Sequence, residues 1–168
     1  MRVIGIDPGL ACTGYAVLEM QAGNISIVEI GVIRTKAEEI LSARLKTIYS
    51  GLKEVIEDHN PAALAVEQVF AAKNIASTIK LAHARAMAVL LAGEKGLSFS
   101  EFTPREVKQN VTGNGNASKE QVQFMVKNIL KMQEIIKPND AADAVAIALS
   151  ILQVYKFNSR LPVQTHLR

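Results

Sequence analysis

Val3-Ile4-Gly5-Ile6 is an apolar run that stops on Asp7-Pro8-Gly9, and a second β-prone run, Thr13-Gly14-Tyr15-Ala16-Val17, follows four residues later. That pattern predicts strand, turn, strand. Pro8 fixes φ and Gly9 tolerates positive φ, so the chain can reverse sharply and leave Asp7 at the rim of a sheet. An Asp ahead of Pro-Gly is also an ordinary turn-opening residue. The position gains weight because Glu67, Asp140 and Asp143 also stand in apolar settings.

The next elements extend the opening pair. A turn at Gln21–Asn24 containing Gly23 leads into Ile25-Ser26-Ile27-Val28-Glu29-Ile30-Gly31-Val32-Ile33-Arg34, a β-branched and partly alternating run. Three strands joined by short turns make an antiparallel meander. From about Glu38 to Asp58, Ile40, Leu41, Leu45, Ile48, Leu52, Val55 and Ile56 recur at three- and four-residue steps, an amphipathic helix ended by Asn60-Pro61. Ala63-Leu64-Ala65-Val66-Glu67 then reads as a buried strand whose helical crossover implies parallel pairing. A long helix follows from about Asn74 to Lys95. Its stripe of Ile75, Ile79, Ala82, Ala86, Val89 and Leu90 fits a core face or a subunit interface equally well. Ser98–Phe102 is a fifth strand and Pro104 opens a short helix. The run Thr112-Gly113-Asn114-Gly115-Asn116-Ala117 is aperiodic. It is either a flexible connector or a loop whose free amides, beside Lys119, meet phosphate. Ser118 with Gln121 is a capping-box signature, which starts the next helix near Lys119. Asn139 is a plausible N-cap for a last helix rich in alanine, valine, isoleucine and leucine. The expectation is one α/β domain over 1–168: a mixed five-stranded sheet, with a three-strand antiparallel meander plus parallel strands, flanked by helices.

A chain of 168 residues can bury about 68–70% of its unfolded surface without staples. A lone cysteine, Cys12, rules out an internal disulfide framework and fits a reducing cytoplasm. The opening strand follows Met1 with no charged-then-apolar leader, and the apolar stretch around Ala86–Ala92 is too short to span a bilayer. A cytoplasmic protein with no membrane partner is therefore expected. The formal charge of +3 is mildly basic, a weak pointer to nucleic acid. Its distribution suggests one basic face, from Lys73, Lys80, Arg85, Arg105, Lys108, Lys119, Lys127 and Lys131, and one acidic face from Glu38–Glu39 and Glu54–Asp58.

Asp140 and Asp143, at i and i+3, share one face of the last helix's first turn. Both interact favourably with the positive end of the helix dipole. A carboxylate at the end of an apolar strand, as at Glu67, is costly unless paired, protonated or bound to a cation. Four carboxylates from three segments would repel one another if they met without cations. Oxygen-only donors suit Mg²⁺ or Mn²⁺, and nothing here has the His/Cys spacing of a zinc site. Two such ions about 3.5–4 Å apart are the usual apparatus for in-line displacement at phosphorus.

Four motifs occur in order: Ile4–Gly9 with Thr13-Gly14-Tyr15, Val66–Phe70 with Lys73-Asn74, Gly113–Val122, and Asp140–Ala144. Together they resemble the RuvC family of Holliday junction resolvases, over nearly the whole chain from Arg2 to about Leu152. The resemblance implies a ribonuclease H-like fold and a homodimer that cuts symmetric strands of four-way junction DNA, leaving ligatable nicks in recombination and repair. It also implies branch-migration motor proteins as partners. It assigns two Mg²⁺ per site, with Mn²⁺ able to substitute, to Asp7, Glu67, Asp140 and Asp143. Asp7 is the candidate bridging ligand, and some family members carry His where this chain has Asp140. Phe70 matches an aromatic that stacks at the junction centre. Lys108 and Lys119 match basic residues near the scissile phosphate; Lys73, Lys80, Arg85 and Arg105 are further DNA-contact candidates. The tail after about 156 departs from the pattern. A catalytically silent junction-binding protein and an actin-like phosphotransferase are the competing readings; the second calls for two domains and a longer chain.

Overall fold

The structure, a computed structural model, describes residues 1–69 and 75–158. Three strands form the meander: β1 (Arg2–Asp7), β2 (Cys12–Gln21) and β3 (Asn24–Arg34). Helix α1 (Leu41–His59) crosses to β4 (Ala63–Glu67), and α2 (Ile75–Lys95) crosses to β5 (Ser98–Phe102). Three helices follow: α3 (Pro104–Thr112), α4 (Lys119–Ile129) and α5 (Asn139–Asn158). The sheet order is β3-β2-β1-β4-β5. β1 pairs antiparallel with β2 and parallel with β4, and β4 pairs parallel with β5. The expected mixed five-stranded sheet flanked by helices is the one observed.

Boundaries differ in small ways that have local causes. α1 begins at Leu41, not near Glu38, after an N-cap Ile40 that has no capping side chain and is 73% exposed. It ends on Asn60 in the left-handed region at φ 45°, one residue ahead of Pro61. Thr103 and Ser118 each form a reciprocal capping box, with Glu106 and Gln121, so α3 and α4 start where their hydroxyls satisfy the first free amides. Asn139, expected as a cap, lies within α5. Asn74, expected to start α2, lies outside the described residues, as do residues 159–168 of the tail.

Strand alternation divides the core into two layers. Val3, Ala16, Leu18, Ala63 and Ala65 pack against α5 with Val107 of α3 and Val122 of α4. Ile4, Ile6, Val17, Leu64 and Val66 face the other way, onto Ile48 and Leu52 of α1 and Ala88 and Leu91 of α2. α5 lies almost on the sheet backbone because β1 and β2 present glycine to it. A Cβ on Gly5 would stand 2.3 Å from the Ala144 carbonyl oxygen, and one on Gly14 would stand 2.0 Å from that of Asp140. Any side chain at either position would lift the helix off the sheet.

By length and composition alone α2 could cross a membrane, with an 18-residue window of mean hydropathy 1.3. The expectation of too short an apolar stretch took in only part of the helix. Within the fold its Ala84, Ala88, Leu91 and Ala92 are buried, while Ile75, Ile79 and Leu90 are 74%, 51% and 49% exposed. The Ile75-Ile79-Leu90 side of the expected stripe faces outward, away from the core.

Candidate active site

Asp7 is the last residue of β1 and Glu67 the last of β4. The parallel register sets Ile6 against Val66, so the two carboxylates emerge at the same end of adjacent strands. By alternation each also points to the α5 face, in line with Gly5 and Ala65. On the other side Asp7 pairs with Gly14, the glycine beneath the Asp140 carbonyl. The close approach that Gly14 permits therefore sets the first turn of α5, with Asp140 and Asp143, beside Asp7. Four carboxylates that the sequence scatters over three segments meet at one rim of the sheet.

Electrostatics registers the meeting. Burial pushes the Asp7 carboxyl up to about 7, with further upward contributions from Asp143, Glu67 and Asp140 against an opposing one from Lys119. Burial and Asp143 also raise Glu67. The Lys119 ammonium donates to Asp143 Oδ2 at 2.7 Å, and this bond raises its own pKa. Among the described residues no three His, Cys, Asp or Glu side chains already stand in metal-coordinating geometry. The chemistry of the set nevertheless suits a hard divalent cation: all donors are carboxylate oxygens, the charge is high, and burial with mutual repulsion raises the Asp7 carboxyl.

A cleft of about 270 Å³ opens from this rim, lined by Glu67, Asp143, Lys108, Lys119, Pro104 and Val122. Two of the expected DNA-contact residues, Lys108 and Lys119, are thus brought to the carboxylates. The others are placed differently. Arg105, on α3, is exposed and lies against Gly115. Lys80 and Arg85 are on α2, across the sheet, and the Arg85 guanidinium is paired with Glu101. The expected division into a basic and an acidic face is accordingly incomplete, since these two cations share a side with the acidic residues of α1. Phe70 and Lys73 lie outside the described residues.

The loop between α3 and α4 differs from both readings of its sequence. Its amides are already engaged: Gly113 N with Gln109 O, Asn114 N with Thr112 Oγ1, Gly115 N with Gln109 Oε1, Asn116 N with Asn114 Oδ1, and Ala117 N with Asn114 O. Side chains that favour local backbone hydrogen bonds close the loop on itself, so it presents no free amide cradle.

Two contributors gave no clear signal in the sequence. Thr13, fully buried, donates from Oγ1 to the Gly9 carbonyl at 2.8 Å and accepts from Gly9 N at 3.4 Å, locking the turn after Asp7. Cys12 stands next to the acidic cluster; burial raises its thiol pKa, and Asp140 raises it further. Thr13 is part of the opening motif, but only the fold shows which backbone its hydroxyl meets.

The model of the family "Crossover junction endodeoxyribonuclease RuvC" matches residues 3–151. The chain belongs to the RuvC family. The RuvC of Natranaerobius thermophilus is 42% identical over 161 residues, covering 96% of this chain and 100% of that protein. That of Geobacter sulfurreducens is 47% identical over 149 residues, or 89% of this chain and 90% of that one. Among solved structures, Thermus thermophilus RuvC in complex with Holliday junction substrate superposes with a TM-score of 0.89 at 32% identity, over 97% of this chain and 99% of the other. RuvC membership covers the sheet, both helical layers and the whole acidic rim.

Proposed function

We propose that this RuvC-family chain is a structure-selective endonuclease that resolves four-way DNA junctions by paired, symmetric hydrolysis of phosphodiester bonds in recombination and repair. The observation that carries the reading is the convergence of Asp7, Glu67, Asp140 and Asp143 at one rim, with the Asp7 carboxyl raised to about 7. Such a cluster is destabilising as a structural device and useful as a cation site. Asp7, Glu67, Asp140 and Asp143 would hold two Mg²⁺, with Mn²⁺ able to substitute. Bound there, the ions would activate the attacking water and neutralise charge at the scissile phosphate.

The chain's own residues supply the rest. Asp7, raised to about 7, would have to be deprotonated to hold a cation, so cation binding would release protons near neutral pH. The Lys119 ammonium, held to Asp143 at 2.7 Å, is positioned to transfer its contact to a phosphate oxygen once the charge of Asp143 is otherwise engaged. Lys108 lines the same cleft and adds a second positive charge along the strand path. The outward stripe of α2, with Ile75, Ile79 and Leu90 exposed and Ala82 and Ala86 small enough for close approach, supports a homodimer, which matches a two-fold substrate.

The deciding experiment compares a synthetic four-way junction with a linear duplex of the same arms, in Mg²⁺ and in chelator. Paired nicks confined to the junction and lost with chelator are expected. Junction binding without nicks, in Mn²⁺ as well, would mean a silent binder.

A further inference from the structure

The turn that follows Asp7 is held from outside as well as by Thr13. At its far end the Leu10 carbonyl accepts two hydrogen bonds, from Thr35 Oγ1 at 2.6 Å and from Arg44 Nη2 at 3.2 Å. The Arg44 Nε in turn donates to Thr35 Oγ1 at 2.8 Å. One residue on, Thr35 N donates to the Ala11 carbonyl at 3.1 Å. Three segments distant in sequence, the β1–β2 turn, the residue after β3 and the first turn of α1, are thereby closed into one ring.

An arginine is an expensive way to secure a surface turn, because its guanidinium forgoes water and rotamer freedom to do it. Here both contacts run to uncharged oxygens, so charge pairing does not account for the position. What the guanidinium offers is a planar fork, with Nε and Nη2 set to reach a hydroxyl and a carbonyl at once. A fixed fork determines where the Leu10 peptide lies. With the Leu10 carbonyl held by Arg44 and the Gly9 carbonyl held by Thr13, the segment between Asp7 and β2 has little freedom. Among the described residues the cation that acts on the Asp7 charge is Lys119, so an influence of Arg44 on Asp7 runs through backbone geometry.

We propose that Arg44, with Thr35, is a positioning residue for the active site, clamping the Leu10 carbonyl so that Asp7 is set for cation binding before DNA arrives. The proposal rests on the reading of Asp7 as a metal ligand. It is separable from a second use of the same side chain. Arg44 also lines a groove of about 350 Å³ with Leu10, Leu41, Ile79, Lys80 and His83, where a cation could instead meet a DNA phosphate.

The test measures Mn²⁺ binding calorimetrically on the full chain without DNA, alongside amide hydrogen exchange. Arg44→Ala should weaken Mn²⁺ binding by about tenfold, the usual scale for removing a group that orients a ligand. It should also speed exchange at the Thr35 amide, which donates to the Ala11 carbonyl, while core amides such as that of Leu149 stay protected. Arg44→Lys, which keeps the charge and loses the fork, should fall between. Thr35→Val removes one donor at nearly constant shape and should act in the same direction, which keeps the test available if Arg44→Ala folds poorly. Wild-type Mn²⁺ affinity with unchanged Thr35 amide exchange in Arg44→Ala and Arg44→Lys would overturn the clamp. A loss of junction affinity in chelator, with a shallower salt dependence and unaltered Mn²⁺ binding, would make Arg44 a phosphate contact instead. Failure of the wild type to bind Mn²⁺ would overturn the metal reading itself, and that failure is recognisable because it precedes any substitution.

Discussion

α2 and α5 are similar in length and both rich in alanine and aliphatic residues, yet the fold uses them in opposite ways. In α5 every residue from Ala144 to Leu152 is at most 2% exposed. In α2 the buried residues are Ala84, Ala88, Leu91 and Ala92, and Ile75, Ile79 and Leu90 face outward. The difference lies less in the helices than in what they rest on. α5 meets Gly5 and Gly14, which admit helix backbone to the sheet and leave room for α3 and α4 to cover its other side. α2 packs with α1 over the opposite layer through one stripe, and no described element covers its other face. An apolar helix is thus a buried pillar or a free surface according to its neighbours.

The hardest break of this comparison is Gly5→Val. Its Cβ would fall 2.3 Å from Ala144 O and 2.4 Å from Ala148 N, both backbone atoms that move only if the helix moves. A loss of more than about 3 kcal/mol is expected, read as a collapse of the thermal midpoint together with loss of junction cleavage. Leu149→Ala, fully buried in α5, should cost about 3 kcal/mol in chemical denaturation, from lost transfer energy and the cavity left behind.

Asp7→Asn tests the acidic rim that α5 completes and should have the reverse sign on stability. A folded-state pKa of about 7 against the ordinary value of 3.8 means the folded chain binds more protons between those values. Metal-free stability then falls as pH rises from about 4 to 7, and the penalty is fully present above 7. Removing the charge should raise stability at pH 8 by about 1–2 kcal/mol, discounted for the partial exposure of the group. It should flatten the pH dependence, abolish cleavage and leave junction binding intact. Near wild-type cutting by this variant would rule out the proposed site. Added Mg²⁺ should raise the midpoint of the wild type and not that of the variant.

The smallest stability effect is expected at the free surface. Leu90→Ala, at 49% exposure, should change unfolding free energy by no more than about 0.5 kcal/mol. Ile79→Asp should leave the fold equally stable and shift sedimentation toward monomer. Dimer retained at micromolar concentration would put the subunit interface elsewhere.

Much of the architecture is legible in local pattern. The alternation of β3, the three- and four-residue steps of α1, Pro104 at a helix start and the Ser118/Gln121 box each concern residues a few positions apart, and hydrogen bonding at that range follows from residue type. The four carboxylates were visible too, as charges where apolar runs end. The orientation of the α2 stripe was not, because periodicity marks a face without saying what lies opposite. The loop from Thr112 to Ala117 was equally opaque: its composition gives open and self-bonded conformations alike, and the choice depends on Gln109 reaching back to Gly115.

What the chain's order of residues determined alone is the succession of strands and helices, the places where they stop, and which side chains carry charge at those stops. The tertiary structure decided that Gly5 and Gly14 would bring the start of α5 onto the rim beside Asp7. It also decided that Arg44 and Thr35 would close on Leu10, and that Lys119 would pair with Asp143 while Arg85 turned to Glu101. Those outcomes depend on distances between segments remote in sequence, which backbone preference does not encode and which only the packing of one layer against another can set.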